Sequence, residues 1–160
     1  MKAISKFMSG QISKKQFLKI NGTLDMVDRI EKELVEAYQC HSADNVEEFI
    51  YLIFVFEYFN VRYTDILNHL LISDWHYQHE NIVILLQKIC SFDSLPYLYK
   101  AIELQLPYYQ ESNNCAFEMR CIRAIYQIGK KDLFSYLEKL CRHSNDDIRE
   151  MAQRQIKKLM

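Results

Sequence analysis

The sequence predicts an all-α fold, and three observations predict it. Only three glycines (Gly10, Gly22, Gly129) and two prolines (Pro96, Pro107) interrupt 160 residues. So few breakers favour long helices over many short strands and turns. Apolar residues recur at steps of three and four along most of the chain, the spacing of one face of a helix. The stretches between these patterns are short, as in antiparallel helical neighbours. With 49% apolar residues, the chain has enough material for one domain with a core, and it is not a disordered sequence.

The elements follow in order. Residues 1–23 carry five lysines and no acid and read as an N-terminal extension. Their start, "MKAISKFMSGQISKK", has charge but no apolar stretch, so no secretory signal is expected and a cytoplasmic location is. "LDMVDRIEKELVEAYQC" (24–40) places Leu24, Val27, Ile30, Leu34, Val35 and Tyr38 on a helical stripe. "DNVEEFIYLIFVFEYF" (44–59) opens with Asp44 as a cap and Glu47 three residues on. Its apolar run from Phe49 to Phe56 is far short of the ~20 residues a bilayer needs, so a buried helix and no membrane partner are expected.

"VRYTDILNHLLIS" (61–73) is a shorter helix. "DWHYQHENIVILLQKIC" (74–90) is expected to start at an Asp74 cap and to bury Ile82, Leu85, Leu86 and Ile89. "SLPYLYKAIELQL" (94–106) puts Ser94 ahead of Pro96 in the first turn. "CAFEMRCIRAIYQIG" (115–129) ends at Gly129, a suitable residue after a helix C-terminus. "KDLFSYLEKLCRH" (131–143) and "NDDIREMAQRQIKKL" (145–159) complete the chain, with Asn145 or Asp146 as the last cap.

These helices also pair. Taken two at a time from residue 24, they make four units whose second helices begin near 44, 74, 115 and 145. Such spacings belong to helical repeat arrays. Ala124 and Ile128 overlay on Ala152 and Ile156, each set preceded by an arginine, Arg120 or Arg149, one position out of register. The expected architecture is a short right-handed α-solenoid of helical pairs, in a single domain over residues 1–160.

Chemistry is sparse. Five cysteines (Cys40, Cys90, Cys115, Cys121, Cys141) form no CxxC pair, and their number is odd, which argues against a disulfide framework and a zinc knuckle. They read as small buried hydrophobes. "SDWHYQHENI" (73–82) gathers Asp74, His76, His79 and Glu80 within seven residues. A metal site needs at least three ligands, and no second cluster of ligands exists, so His76 and His79 read as packing residues on the first turns of a helix, and no metal is expected. No GxSxG, P-loop or GxGxxG motif occurs. No enzyme activity, catalytic residue or cofactor is expected.

The net charge of −1 hides a division. The segment 24–113 is strongly acidic, and both ends are basic. An acidic middle suits a basic protein partner better than nucleic acid. The acids Asp44, Glu47, Glu48, Glu80, Glu103 and Glu111 are the candidate partner-binding residues. Tyr108 and Tyr109 join them as aromatic anchors in the longest linker, 107–114, since tyrosine is large, stiff and amphipathic.

"MRCIRAIYQIGKKDLFSYLEKLCRHSNDDIREMAQRQIKKL" (119–159) resembles HEAT repeats. Leu133, Leu137 and Leu140, then Asp146 and Asp147, then Arg149 and Ala152 supply the family pattern. The resemblance implies that the Asp and Arg are structural, in the turn and in repeat stacking. "WHYQHENIVILLQKICSFDSLPYLYKAI" followed by "RCIRAIYQIG" is similar to bacterial HEAT-repeat proteins found beside polymorphic toxin genes of the contact-dependent inhibition type. That resemblance implies an immunity protein that binds and occludes a cognate toxin, often a nuclease with a basic groove. Two other readings stay open: a HEAT-type nucleic-acid-binding or repair protein, which would want a basic inner face, and a HEAT-like di-iron enzyme, which would want more than the single pair His79–Glu80.

Overall fold

A computed structural model describes residues 3–22, 25–104, 106, 115–129 and 133–159. Helix accounts for 76% of the described residues, and no strand occurs among them. Among the described residues the α-helices are α1 (Ala3–Met8), α2 (Lys14–Asn21), α3 (Met26–Gln39), α4 (Ala43–Phe56), α5 (Thr64–Leu71), α6 (His79–Ile89), α7 (Leu95–Ile102), α8 (Ala116–Ile128), α9 (Leu133–Leu140) and α10 (Asp146–Lys157). The all-α expectation is met. No described helix is long and apolar enough to cross a membrane.

From α3 onward the helices pack in the order the sequence pairs them. α3 packs on α4, α5 on α6, α7 on α8 and α9 on α10. The first helices also touch in a row, α3 on α5 and α5 on α7, and the second helices in another, α6 on α8 and α8 on α10. One apolar cluster runs through all of them, from Ile30 and Leu34 through Ile53, Leu67, Leu86 and Leu98 to Ile125, Leu137 and Ala152. Each helix thus buries its stripe between two or more neighbours, and no helix pair needs a separate core.

Ends repeat as well as middles. α4 and α6 both stop at a left-handed residue, Glu57 (φ 55°) and Cys90 (φ 58°). A 3-10 turn then leads into the next first helix, Val61–Tyr63 before α5 and Phe92–Ser94 before α7. Neither left-handed residue is a glycine, so this terminator is invisible to a search for glycine at helix ends.

Five expectations need correction. Of the five cysteines read as buried hydrophobes, Cys121 is buried, Cys115 and Cys141 are partly buried, and Cys40 and Cys90 are exposed because they follow helix ends at the surface. Residues 1–23 are more than an appended extension. Ser13 and Gln16 form a reciprocal capping box at the start of α2. Phe17 is buried and stacks on Phe7 of α1 with ring centroids 4.9 Å apart, and both meet Phe56 of α4. Lys14 adds a 2.9 Å hydrogen bond to the Val55 carbonyl. The N-terminal helices therefore close the open flank of α4.

Asp44 is not the cap of its helix, which starts one residue earlier behind Ser42. Gly129 does follow α8, but not for its left-handed freedom, because its φ is −72°. A Cβ there would lie 2.7 Å from the Ile125 carbonyl oxygen and 3.0 Å from Leu133 Cα. Close approach of α9 to the end of α8 is what requires glycine. Finally, α6 does not start at Asp74. It starts at His79, and residues 73–78 form an irregular connection.

Candidate functional site

The late start of α6 decides the role of the two histidines. They do not share a helix face. His76 lies in the connection and His79 is the first residue of α6, yet their rings stack with centroids 4.3 Å apart. Both side chains are buried. His76 Nε2 donates to the Leu70 carbonyl at 2.8 Å, and its Nδ1 accepts from the Gln78 N–H at 3.1 Å. One neutral tautomer satisfies both bonds. His79 Nε2 donates to the Ser73 carbonyl at 2.6 Å. The carbonyls at and beyond the end of α5, which have no partner within the helix, are thus tied to the start of α6.

Burial lowers the pKa of His76. Burial, then the neighbouring His76, lowers that of His79 to about 4, against opposing help from the Ser73 carbonyl and Asp74. Trp75 sits edge-on to His76 and to His41, and Phe117 of α8 stands edge-on to His79. Among the described residues no three His, Cys, Asp or Glu side chains come together as a metal site. The histidines are structural pins between the two helices of one pair, α5 and α6.

The acidic candidates divide into three places. Asp44, Glu47 and Glu48 lie together on the first turns of α4 and line a depression of about 350 Å³ against Ser5, Met8 and Ser9 of the N-terminal segment. Ser5 Oγ donates to Glu48 Oε1 at 3.0 Å, and Glu48 Oε2 is buried without a partner among the described residues. Met8 and Glu47 also line an adjoining depression whose walls are Ile50, Tyr51 and Phe54 of α4, with Gln78 and Asn81 from the start of α6. The two share Met8 and Glu47; taken together as the α4 groove, they are apolar along Ile50, Tyr51 and Phe54 and acidic at Asp44, Glu47 and Glu48. Among the described residues no Lys, Arg or His forms an ion pair with these three carboxylates.

Glu80 is elsewhere engaged, with Arg120 of α8 at 3.1 Å. Glu103 lies past the end of α7, with Oε1 3.4 Å from His143 Nε2 near the far end of the chain. It is not part of the α4 groove. Tyr108, Tyr109 and Glu111 lie outside the described residues.

The acids of α3 differ from those of α4. Asp28 pairs with Lys32 and with Arg62 at 2.8 Å each, and Arg62 also pairs with Glu31. The hydrogen bond from Lys32, then that from Arg62, lowers the Asp28 pKa. These charges are already matched. On the basic side, Arg149 holds the α9–α10 turn through Asp146 and through the carbonyls of His143 (2.7 Å) and Ser144 (2.8 Å), while Asn145 caps α10. Arg154 pairs with Glu150 at 2.6 Å. Of the ten bases in 114–160, Arg120, Arg149 and Arg154 are thus engaged with carboxylates.

Met8 and Ser5 were missed by sequence reasoning. The available signal was "SKKQ" at 13–16, a capping-box spacing that marks 1–23 as folded. No protein-family model, no curated protein and no solved structure matches this chain.

Proposed function

We propose that this chain is a protein-binding module, a short right-handed solenoid of HEAT-like pairs that neutralises a cognate bacterial toxin by occluding it in the cytoplasm. The observation that carries this reading is the α4 groove. Asp44, Glu47 and Glu48 are three carboxylates with no ion pair among the described residues, beside the apolar side chains Ile50, Tyr51 and Phe54. A basic surface would supply the missing charges, and steering by unmatched acids speeds association with such a surface. The order of helix contacts and the Arg149 turn support the solenoid, and the resemblance of 74–159 to immunity-type proteins supports the partner.

The nucleic-acid reading has less to work with. Phosphate binding needs uncommitted cations on one face, and Arg120, Arg149 and Arg154 are each engaged with a carboxylate.

The test is protection. Cells expressing the toxin domain encoded beside this gene should survive when this chain is co-expressed and die without it. Glu47→Lys with Glu48→Lys should weaken protection at unchanged protein level. Death despite abundant folded protein would contradict the proposal.

A further inference from the structure

The two 3-10 turns create a second recess on the first-helix side. α5 touches the turn Phe92–Ser94, so the turns before α5 and α7 stand next to each other. Between them lies a cleft of about 330 Å³. Thr64 and Asn68, one helical turn apart on α5, line it and are almost fully buried, at 6% and 2% exposure. Thr64 Oγ1 and Asn68 Oδ1 have no hydrogen-bond partner among the described residues. The orientation of the Asn68 amide follows from its one bond: Nδ2 donates to the Asp93 carbonyl, an acceptor only, so the oxygen is the atom left over. That bond is long, at 3.3 Å, and a weakly held amide can turn its oxygen toward an entering donor.

We propose that this cleft recognises the side chain of an arginine presented by a protein partner. Its other walls fit a guanidinium. Asp65 and Asp93 add two carboxylates, Tyr97 an aromatic ring and Val61, 66% exposed, an apolar surface for the aliphatic stem. A guanidinium has five donors in a planar fork, is weakly hydrated and stacks on aromatic rings. A lysine ammonium is a compact, strongly hydrated point charge that matches dispersed acceptors less well. Arg62 also lines the cleft, but its guanidinium is engaged with Asp28 and Glu31 on α3. The amino end of α5 opposes a cation with about half a positive charge, which two full carboxylate charges outweigh. Two buried oxygens without partners among the described residues, on side chains that line the recess, distinguish it from a merely acidic surface, since buried polar atoms are normally paired.

The inference rests on the reading that a basic protein is the partner, but its test does not require that partner. N-acetyl-arginine amide is titrated into the full-length protein and followed by amide NMR, with the citrulline analogue as a neutral control of the same shape and the lysine analogue as a charged one. Saturable shifts are expected at residues 61–68 and 92–97, including the Asn68 side-chain amide. The citrulline and lysine analogues should bind about tenfold or more weakly, the scale of a lost charge-assisted pair. Asp65→Asn with Asp93→Asn should weaken arginine binding about as much, and the exposed Glu138→Lys on α9 should leave it unchanged. Shifts that fail to saturate, equal binding of citrulline or lysine, or indifference to the double variant would overturn the proposal; the unmet oxygens would then serve water only. If the arginine probe is silent while the toxin domain binds tightly, the cleft alone falls. If the probe binds and no toxin does, the cleft stands and the proposed function falls.

Discussion

The rings of His76 and His79 stack 4.3 Å apart, and each directs Nε2 to a backbone carbonyl at or beyond the end of α5. Protonating His76 would place an N–H at Nδ1 opposite the Gln78 N–H that it now accepts, so charging breaks a bond and sets like charges face to face.

Acid should therefore weaken the fold in a defined window. The unfolded chain protonates histidine near 6.5, whereas folded His79 stays neutral until about 4. Between these values the unfolded state holds more protons, so stability is full above 6.5 and declines as pH falls toward 4. The decline is about 3 kcal/mol for His79, and His76, also lowered, acts in the same direction. Chemical denaturation at pH 7.5 and pH 4.5 should show the loss, and NMR titration should give His79 a midpoint near 4. A midpoint at the ordinary histidine value would contradict the buried pair.

The N-terminal helices should matter to the whole domain. Phe17, 1% exposed, packs on Phe7 and Phe56, and truncating a buried phenylalanine costs about 3–5 kcal/mol. Phe17→Ala should lower global stability by that order in a single transition. A loss below about 0.5 kcal/mol, as for an exposed site, would mean that residues 1–23 are only appended.

Gly129→Ala should destabilise although alanine favours helix. The added Cβ would meet the Ile125 carbonyl oxygen at 2.7 Å and the Leu133 backbone at 3.0 Å. Overpacking of this kind costs about 1–3 kcal/mol. Thermal unfolding checks it, and a neutral or raised midpoint would show that α9 can move away.

Periodicity revealed the helices because each has a buried stripe, as in Ile30, Leu34 and Ala37 of α3 or Leu133, Leu137 and Leu140 of α9. Their starts were less legible. Asp74 looks like a cap, yet residues 73–78 fold back so that His76 meets the Leu70 carbonyl of α5 and His79 the Ser73 carbonyl just beyond it, a demand that the cap spacing does not record. Glu57 and Cys90 end helices in a left-handed conformation without glycine. For the candidate site, composition found the acids of α4 but not their setting. Glu47 and Glu48 look alike in sequence with Asp28 and Glu31. Only the fold shows that Arg62, 34 residues from Asp28, matches the latter, while Ser5, 43 residues from Glu48, supplies an uncharged partner to the former.

Under the proposed function, the acids Asp44, Glu47 and Glu48 on α4 draw a basic protein into the groove beside α1. The direct measurement is the association rate of the neighbouring toxin domain at two salt concentrations, for the native chain and for Glu47→Lys with Glu48→Lys. Electrostatic steering raises association and is screened beyond a Debye length of about 10 Å at 0.1 M salt. The account predicts fast, salt-sensitive association for the native chain and about tenfold or more slower, less salt-sensitive association for the variant. Equal rates and equal salt dependence for the two proteins would contradict it.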